Sequence, residues 1–232
     1  MAEQIITVGT PPLEVVIRRS GRARRLSLRV SRLDGRVTLT LPPGASPRQA
    51  RAFAEEKADW IRRALAARPE DERPMPGGTV PFRGARLPIV AGPGRSVRLE
   101  GGVLAVPARD PERTPARLAA FFRLEAREAV AEAVARYGER LGRMPSAISL
   151  RDTRSRWGSC TAEGRLMLSW RLIMAPPPVL DYVVAHEMAH LVHMDHSPAF
   201  WSTVARLMPG HEAHRAWLRT HGAALHAVRL RD

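Results

Sequence analysis

Two histidines four residues apart, with a glutamate directly after the first, interrupt the apolar run Val183–Leu191. No other stretch restricts the fold as much as His186-Glu187-Met188-Ala189-His190. The apolar spacing around it reads as a helix, and on a helix positions i and i+4 share a face one turn apart. His186 and His190 can then direct two imidazole nitrogens at one metal ion, while Glu187 reaches a metal-bound water without ligating the ion. Two neutral nitrogen ligands and a carboxylate base are what a zinc hydrolase needs. The rival reading is a buried amphipathic helix with two incidental histidines. It is disfavoured because two imidazoles and a carboxylate among apolar neighbours are costly to bury without a partner.

A catalytic zinc usually takes three protein ligands and keeps a position for water. His196 lies six residues after His190, and a helix ending near His193 that turns through Met194-Asp195 would fold it back towards the ion. The spacing of His186, His190 and His196 equals that of metzincins, which carry Gly where His193 stands here; the match is one of geometry. His193, His211, His214 and Glu212 are rival third ligands. His193, three residues after His190, is poorly directed at a shared ion, and Glu212 would complete a gluzincin-like set. Asp195 is either an acceptor for a ligand's second ring nitrogen or a turn residue.

Elsewhere, period-two alternation predicts strands at Leu13–Arg19, Arg25–Val30 and Val37–Leu41, the last two joined by a turn at Asp34-Gly35. Ser46 as N-cap and Pro47 open a helix over about 46–66. Arg68 to Gly78 reads as a linker. Short strands follow at Thr79–Arg83, Arg86–Val90, Val97–Glu100 and Val103–Val106, then an amphipathic helix over Thr114–Leu141. Further strands are expected at Ile148–Arg151 and Arg165–Ser169. Helices are expected from Pro176 to His193, Pro198 to Leu207 and Glu212 to Val228. No internal repeat is visible. The pattern divides into a β-rich module, residues 1–110, and a helical core, residues 111–232.

The charge is unusual. Thirty-seven Lys and Arg against 23 Asp and Glu give +14, and Lys57 is the only lysine. Such a chain attracts polyanions and acidic partners through a salt-screened field. Eight arginines and a single acid, Asp34, lie between Arg18 and Arg36, a segment that can track phosphates. The bland alternative is a solvated strand face whose charge blunts edge pairing. No Phe, Tyr or Trp precedes Phe53, so base stacking by this segment is not expected. No apolar run approaches the ~18 residues of a membrane helix, and no signal sequence is visible. The lone Cys160 cannot form an intramolecular disulfide, so a cytoplasmic protein is expected. Nothing in its spacing supports Cys160 as a metal-directed thiolate.

Three stretches together resemble the YgjP-like metallopeptidases, relatives of the SprT-like and WLM zincins. They are Arg154-Ser155-Arg156-Trp157-Gly158-Ser159-Cys160, Leu180 to His190, and His196-Ser197-Pro198-Ala199-Phe200-Trp201. The N-terminal half adds an Arg-rich strand, Asp34-Gly35, a second strand and a helix ending Trp60-Ile61, so the likeness spans roughly residues 15 to 225. The resemblance implies an α+β, zincin-like metallopeptidase core behind a β-rich N-terminal module. It implies one zinc per chain on His186, His190 and His196, with Glu187 as base, and leaves the substrate open; endopeptidase activity on protein or peptide substrates is the principal expectation. Arg156, Trp157, Tyr182 and His193 are candidates for the cleft or for stabilising the oxyanion. It also suggests that the strand Arg165–Ser169 is an edge that accepts an extended peptide. Relatives that cut DNA-bound proteins add weight to a nucleic-acid partner for Arg18–Arg36, by analogy only. Two other readings stand beside this one. One is a nucleic-acid-associated protein with a structural zinc, which Glu187 and the three-ligand set disfavour. The other is a zinc hydrolase of non-peptide amides.

Overall fold

A computed structural model describes residues 4–31 and 34–230. The chain divides into two units, Met1–Glu70 and Asp71–Asp232.

In the first unit, β1 (Gln4–Val8), β2 (Leu13–Arg19), β3 (Ser27–Val30) and β4 (Val37–Leu41) form one sheet in the order β1-β2-β4-β3. β2 and β4 run parallel, and the other pairs are antiparallel. The turn before β4 is closed by Ser31 N–H to Arg36 O, 2.9 Å, with Gly35 at φ +72. Arg32, one of the eight arginines of the basic segment, lies outside the described residues. The expected single helix over 46–66 is two helices, α1 (Pro47–Glu56) and α2 (Ala58–Ala66), broken at Lys57 (φ −94, ψ 5). Ser46 caps α1 in a reciprocal box with Gln49. Val15, Leu39, Leu41, Ala54 and Ile61 fill the core of this unit.

The second unit opens with a segment read from composition as linker. Beyond Glu70 it is tied down: Glu72 N–H donates to Ala227 O (3.0 Å), and Arg229 N–H donates to Glu72 O (2.7 Å). Four strands follow: β5 (Thr79–Phe82), β6 (Ala85–Gly92), β7 (Arg98–Glu100) and β8 (Val103–Pro107), in the order β5-β6-β8-β7. This repeats the order and the strand directions of the first sheet, a repetition of topology that the residues do not announce. The expected boundary after residue 110 is therefore misplaced. Val80, Phe82, Ile89, Leu104 and Val106 share one core with the helices that follow them.

The long helix α3 (Thr114–Leu141) ends on Gly142 at φ +68, a left-handed stop suited to glycine. A second sheet holds β9 (Ala147–Arg151), β10 (Gly158–Cys160) and β11 (Arg165–Ser169) in the order β10-β11-β9. β11 is thus the middle strand, hydrogen-bonded on both sides, and cannot be the peptide-accepting edge; β10 is an edge. A 3-10 turn, Trp170–Met174, leads to α4 (Pro177–Ala189), α5 (Pro198–Leu207) and α6 (His211–Ala227). α4 stops four residues before the expected His193, with His190 as its C-cap. It packs against α3, α5, α6, β10 and β11 and is buried on nearly every side. Arg171, itself buried, pins this end of the fold through Asp152 (2.6 Å) and the carbonyls of Leu225 and Val228 (2.9 Å each). Among the described residues, no helix is long and apolar enough to cross a membrane.

Candidate active site

His186 and Glu187 stand on the last full turn of α4, and His190 caps it. Because the helix stops there, Leu191 to Asp195 can turn back and deliver His196 just ahead of α5, whose N-cap is Ser197. One ring nitrogen each from His186, His190 and His196 comes to lie within 4.8 Å of the other two. Nε2 of His186 and Nε2 of His196 face each other at 3.2 Å. Two nitrogens on one tetrahedral zinc, each about 2.05 Å from it, stand about 3.3 Å apart. The spacing and the all-imidazole donor set therefore fit such an ion.

The rings are held in place mainly by packing. Phe200, fully buried on the first turn of α5, lies 4.9, 4.5 and 4.8 Å from the imidazoles of His186, His190 and His196. Trp201 flanks His186 and His196 at 5.7 and 5.9 Å. Nδ1 of His190 sits 2.9 Å from the His193 backbone carbonyl. That contact makes Nδ1 the protonated nitrogen and leaves Nε2 as the lone-pair donor. Burial, then the neighbouring His190 and His196, pull His186 down to about 3, so its imidazole is neutral and ready to ligate.

Glu187 is only 5% exposed. Burial pushes its carboxyl up to about 8, opposed by the Arg156 charge. It faces the backbone of β10 so closely that a Cβ on Gly158 would fall 2.5 Å from Oε1. The absent side chain of Gly158 is the space the carboxylate occupies. That contact joins the base-bearing helix to an edge strand.

The other candidates separate. Trp157 and Tyr182 line a cavity of about 350 Å³ with Gly158, Val183, His186, Glu187, Arg215, Leu218 and Arg219. Trp157 is also a packed residue, stacked on His226 at 4.6 Å. Arg156 is exposed and reaches the site by its charge. His193 supplies its backbone carbonyl; its side chain is not in the histidine cluster. His211 is buried between Tyr182 (6.2 Å) and Trp201 (5.7 Å), Glu212 is exposed beside it, and neither they nor His214 join the cluster. Asp195 Oδ1 accepts from Ser197 N–H at 3.2 Å, which makes it a turn residue. The Cys160 thiol contacts the Thr161 carbonyl and is outside the cluster. Sequence reasoning missed Gly158 as a cradle, the His193 carbonyl, and Arg215 and Arg219. The first two are backbone features, and α6 meets α4 only through the tertiary fold.

Comparison with known proteins gives the family. No curated protein matches. Among solved structures, the metallopeptidase zymogen abylysin of Pyrococcus abyssi aligns over 40% of this chain and 92% of that one, at 22% identity and a TM-score of 0.36. The family model for the YgjP-like metallopeptidase domain matches residues 24–221. The chain belongs to the YgjP-like metallopeptidase family.

Proposed function

We propose that the protein is a zinc-dependent endopeptidase with a zincin-like core, in which His186, His190 and His196 hold the ion and Glu187 is the catalytic base. The observation that carries this reading is the pairing of three converging imidazoles with a buried carboxylate that follows the first of them on α4. Zinc, when bound, polarises a carbonyl and lowers the pKa of a water towards ~7. Glu187 takes the proton of the attacking water and returns it to the leaving amine. Gly158 keeps the carboxylate in line by leaving it room, and the free edge of β10 offers N–H and C=O groups to an extended peptide. Tyr182, which lines the cavity with Glu187, and Arg156, whose charge reaches Glu187, are the side chains this reading assigns to the oxyanion.

Metal analysis tests the ligand set. The expected result is one zinc per chain in the wild type, lower occupancy in His196→Ala, and zinc kept with hydrolysis lost in Glu187→Gln. Loss of zinc in Glu187→Gln would put that carboxylate among the ligands. Unchanged zinc in His196→Ala with loss in Glu212→Ala would move the third ligand to Glu212.

A second reading concerns the first unit, whose 70 residues hold 14 basic and 7 acidic side chains. Phe53 and Trp60, the latter 43% exposed, line a cleft with Arg25 and Lys57, so aromatic faces do stand beside the basic segment. This supports a single-stranded nucleic acid as partner. Salt-dependent binding of an oligonucleotide that weakens in Trp60→Ala is the expected result, and binding unaffected by that change would oppose it.

A further inference from the structure

The cavity beside Glu187 has a mixed character. Its walls are apolar: Trp157, Val183, Leu218 and the ring of Tyr182. Its lip on α6 carries two arginines, Arg215 and Arg219, four residues apart and both exposed. Like charges at i and i+4 work against a helix. The single carboxylate among the lining residues is Glu187.

Arg215 is pre-oriented. Its guanidinium lies over the Trp201 ring, 4.6 Å from the centroid. A guanidinium held against an aromatic ring keeps its charge, and its N–H fork matches the geometry of a carboxylate. Arg215 forms no ion pair with any described residue. It lines the same cavity as Tyr182, His186 and Glu187.

We propose that this cavity is a substrate subsite that takes a carboxylate-bearing group of the peptide beside the scissile bond. The apolar walls take the methylene stem, and Arg215 and Arg219 take the carboxylate. Two sources share that chemistry: an acidic side chain and the free carboxyl terminus. The proposal rests on the metallopeptidase reading above, and it extends the chain's net +14 to the substrate itself.

The test separates the two claims by measuring binding apart from turnover. Zinc-loaded Glu187→Gln protein is titrated with labelled peptides that carry Glu, Gln or Leu at one position, each with a free or an amidated C-terminus. A carboxylate should tighten binding about 10-fold over its Gln isostere, as a charge-assisted contact at a half-open site does, and less at high salt. Preference for Glu in amidated peptides identifies the side chain; preference confined to free termini identifies the terminal carboxylate. Adding Arg215→Gln and Arg219→Gln should bring the Glu-to-Gln ratio close to one, and Arg215→Lys with Arg219→Lys should keep part of it. Equal binding of Glu and Gln peptides, or a preference that survives both glutamines, overturns the subsite. The same peptides offered to zinc-loaded wild type test the peptidase: absent cleavage beside intact carboxylate preference would count against the reaction and not against the subsite.

Discussion

Gly158→Ala isolates the contact between the edge strand and the base. The added Cβ would stand 2.5 Å from Oε1, 2.6 Å from Cγ and 2.8 Å from Cδ of Glu187, where ordinary contact begins at 3.4 Å. Either the carboxylate or β10 must retreat by about 1 Å, and a misplacement of that size costs about 10²-fold in rate. Complete loss of a general base costs about 10²–10⁴-fold. The expected fall in kcat therefore lies in that range, about 3–5 kcal/mol in activation free energy. Gly158 is not at a positive φ, so the alanine brings no backbone strain of its own. The three atoms nearest that Cβ all belong to Glu187 and none to a histidine, so zinc content should match wild type. The assay is peptide turnover at saturating substrate, with zinc content and circular dichroism on the same samples. Wild-type kcat in Gly158→Ala would refute the cradle. Loss of zinc would refute the separation of the base from the ligands.

Two further perturbations follow from the packing. Phe200→Ala removes the ring that touches all three imidazoles. It should cost about 3–5 kcal/mol in denaturant unfolding and raise sensitivity to chelators, and unchanged zinc retention would contradict its role as their support. His226, stacked on Trp157, is pulled down to about 4 by burial, then by Arg171 and Arg154, against Asp152. Its folded value lies below the unfolded ~6.5, so its contribution is complete above that pH and is lost as pH falls from 6.5 towards 4. His226→Phe should flatten the fall of Tm across that window, and an unchanged slope would contradict the assignment.

What could be read from the residues was mostly local. α3 and α5 lie where their periodicity and prolines put them, and α6 differs by one residue at each end. The paired histidines were legible because i and i+4 is a property of one helix. β1 was missed although Ile5, Ile6 and Val8 carry β-prone side chains; the segment is short and ends at Gly9. β10 has three residues, one of them glycine, and no propensity to betray it. The boundary at 110 failed for a non-local reason: β5, β6 and β8 follow a β-rich stretch in sequence but belong to the second unit and bury their faces in its core. The edge strand was misassigned because β9 pairs parallel to β11 from the far side, a crossover no local pattern encodes. The arginines on the cavity lip lie on α6, about thirty residues from the motif they face.

The central claim is that Glu187 drives hydrolysis of peptide bonds at a zinc site. It is tested most directly by comparing new protein N-termini in a lysate treated with wild type and with Glu187→Gln, both fully zinc-loaded. New termini that appear only with wild type are the predicted result, and their flanking residues would give the cleavage preference. Identical termini from the two proteins, at equal zinc occupancy, would contradict the assignment of Glu187 as the base.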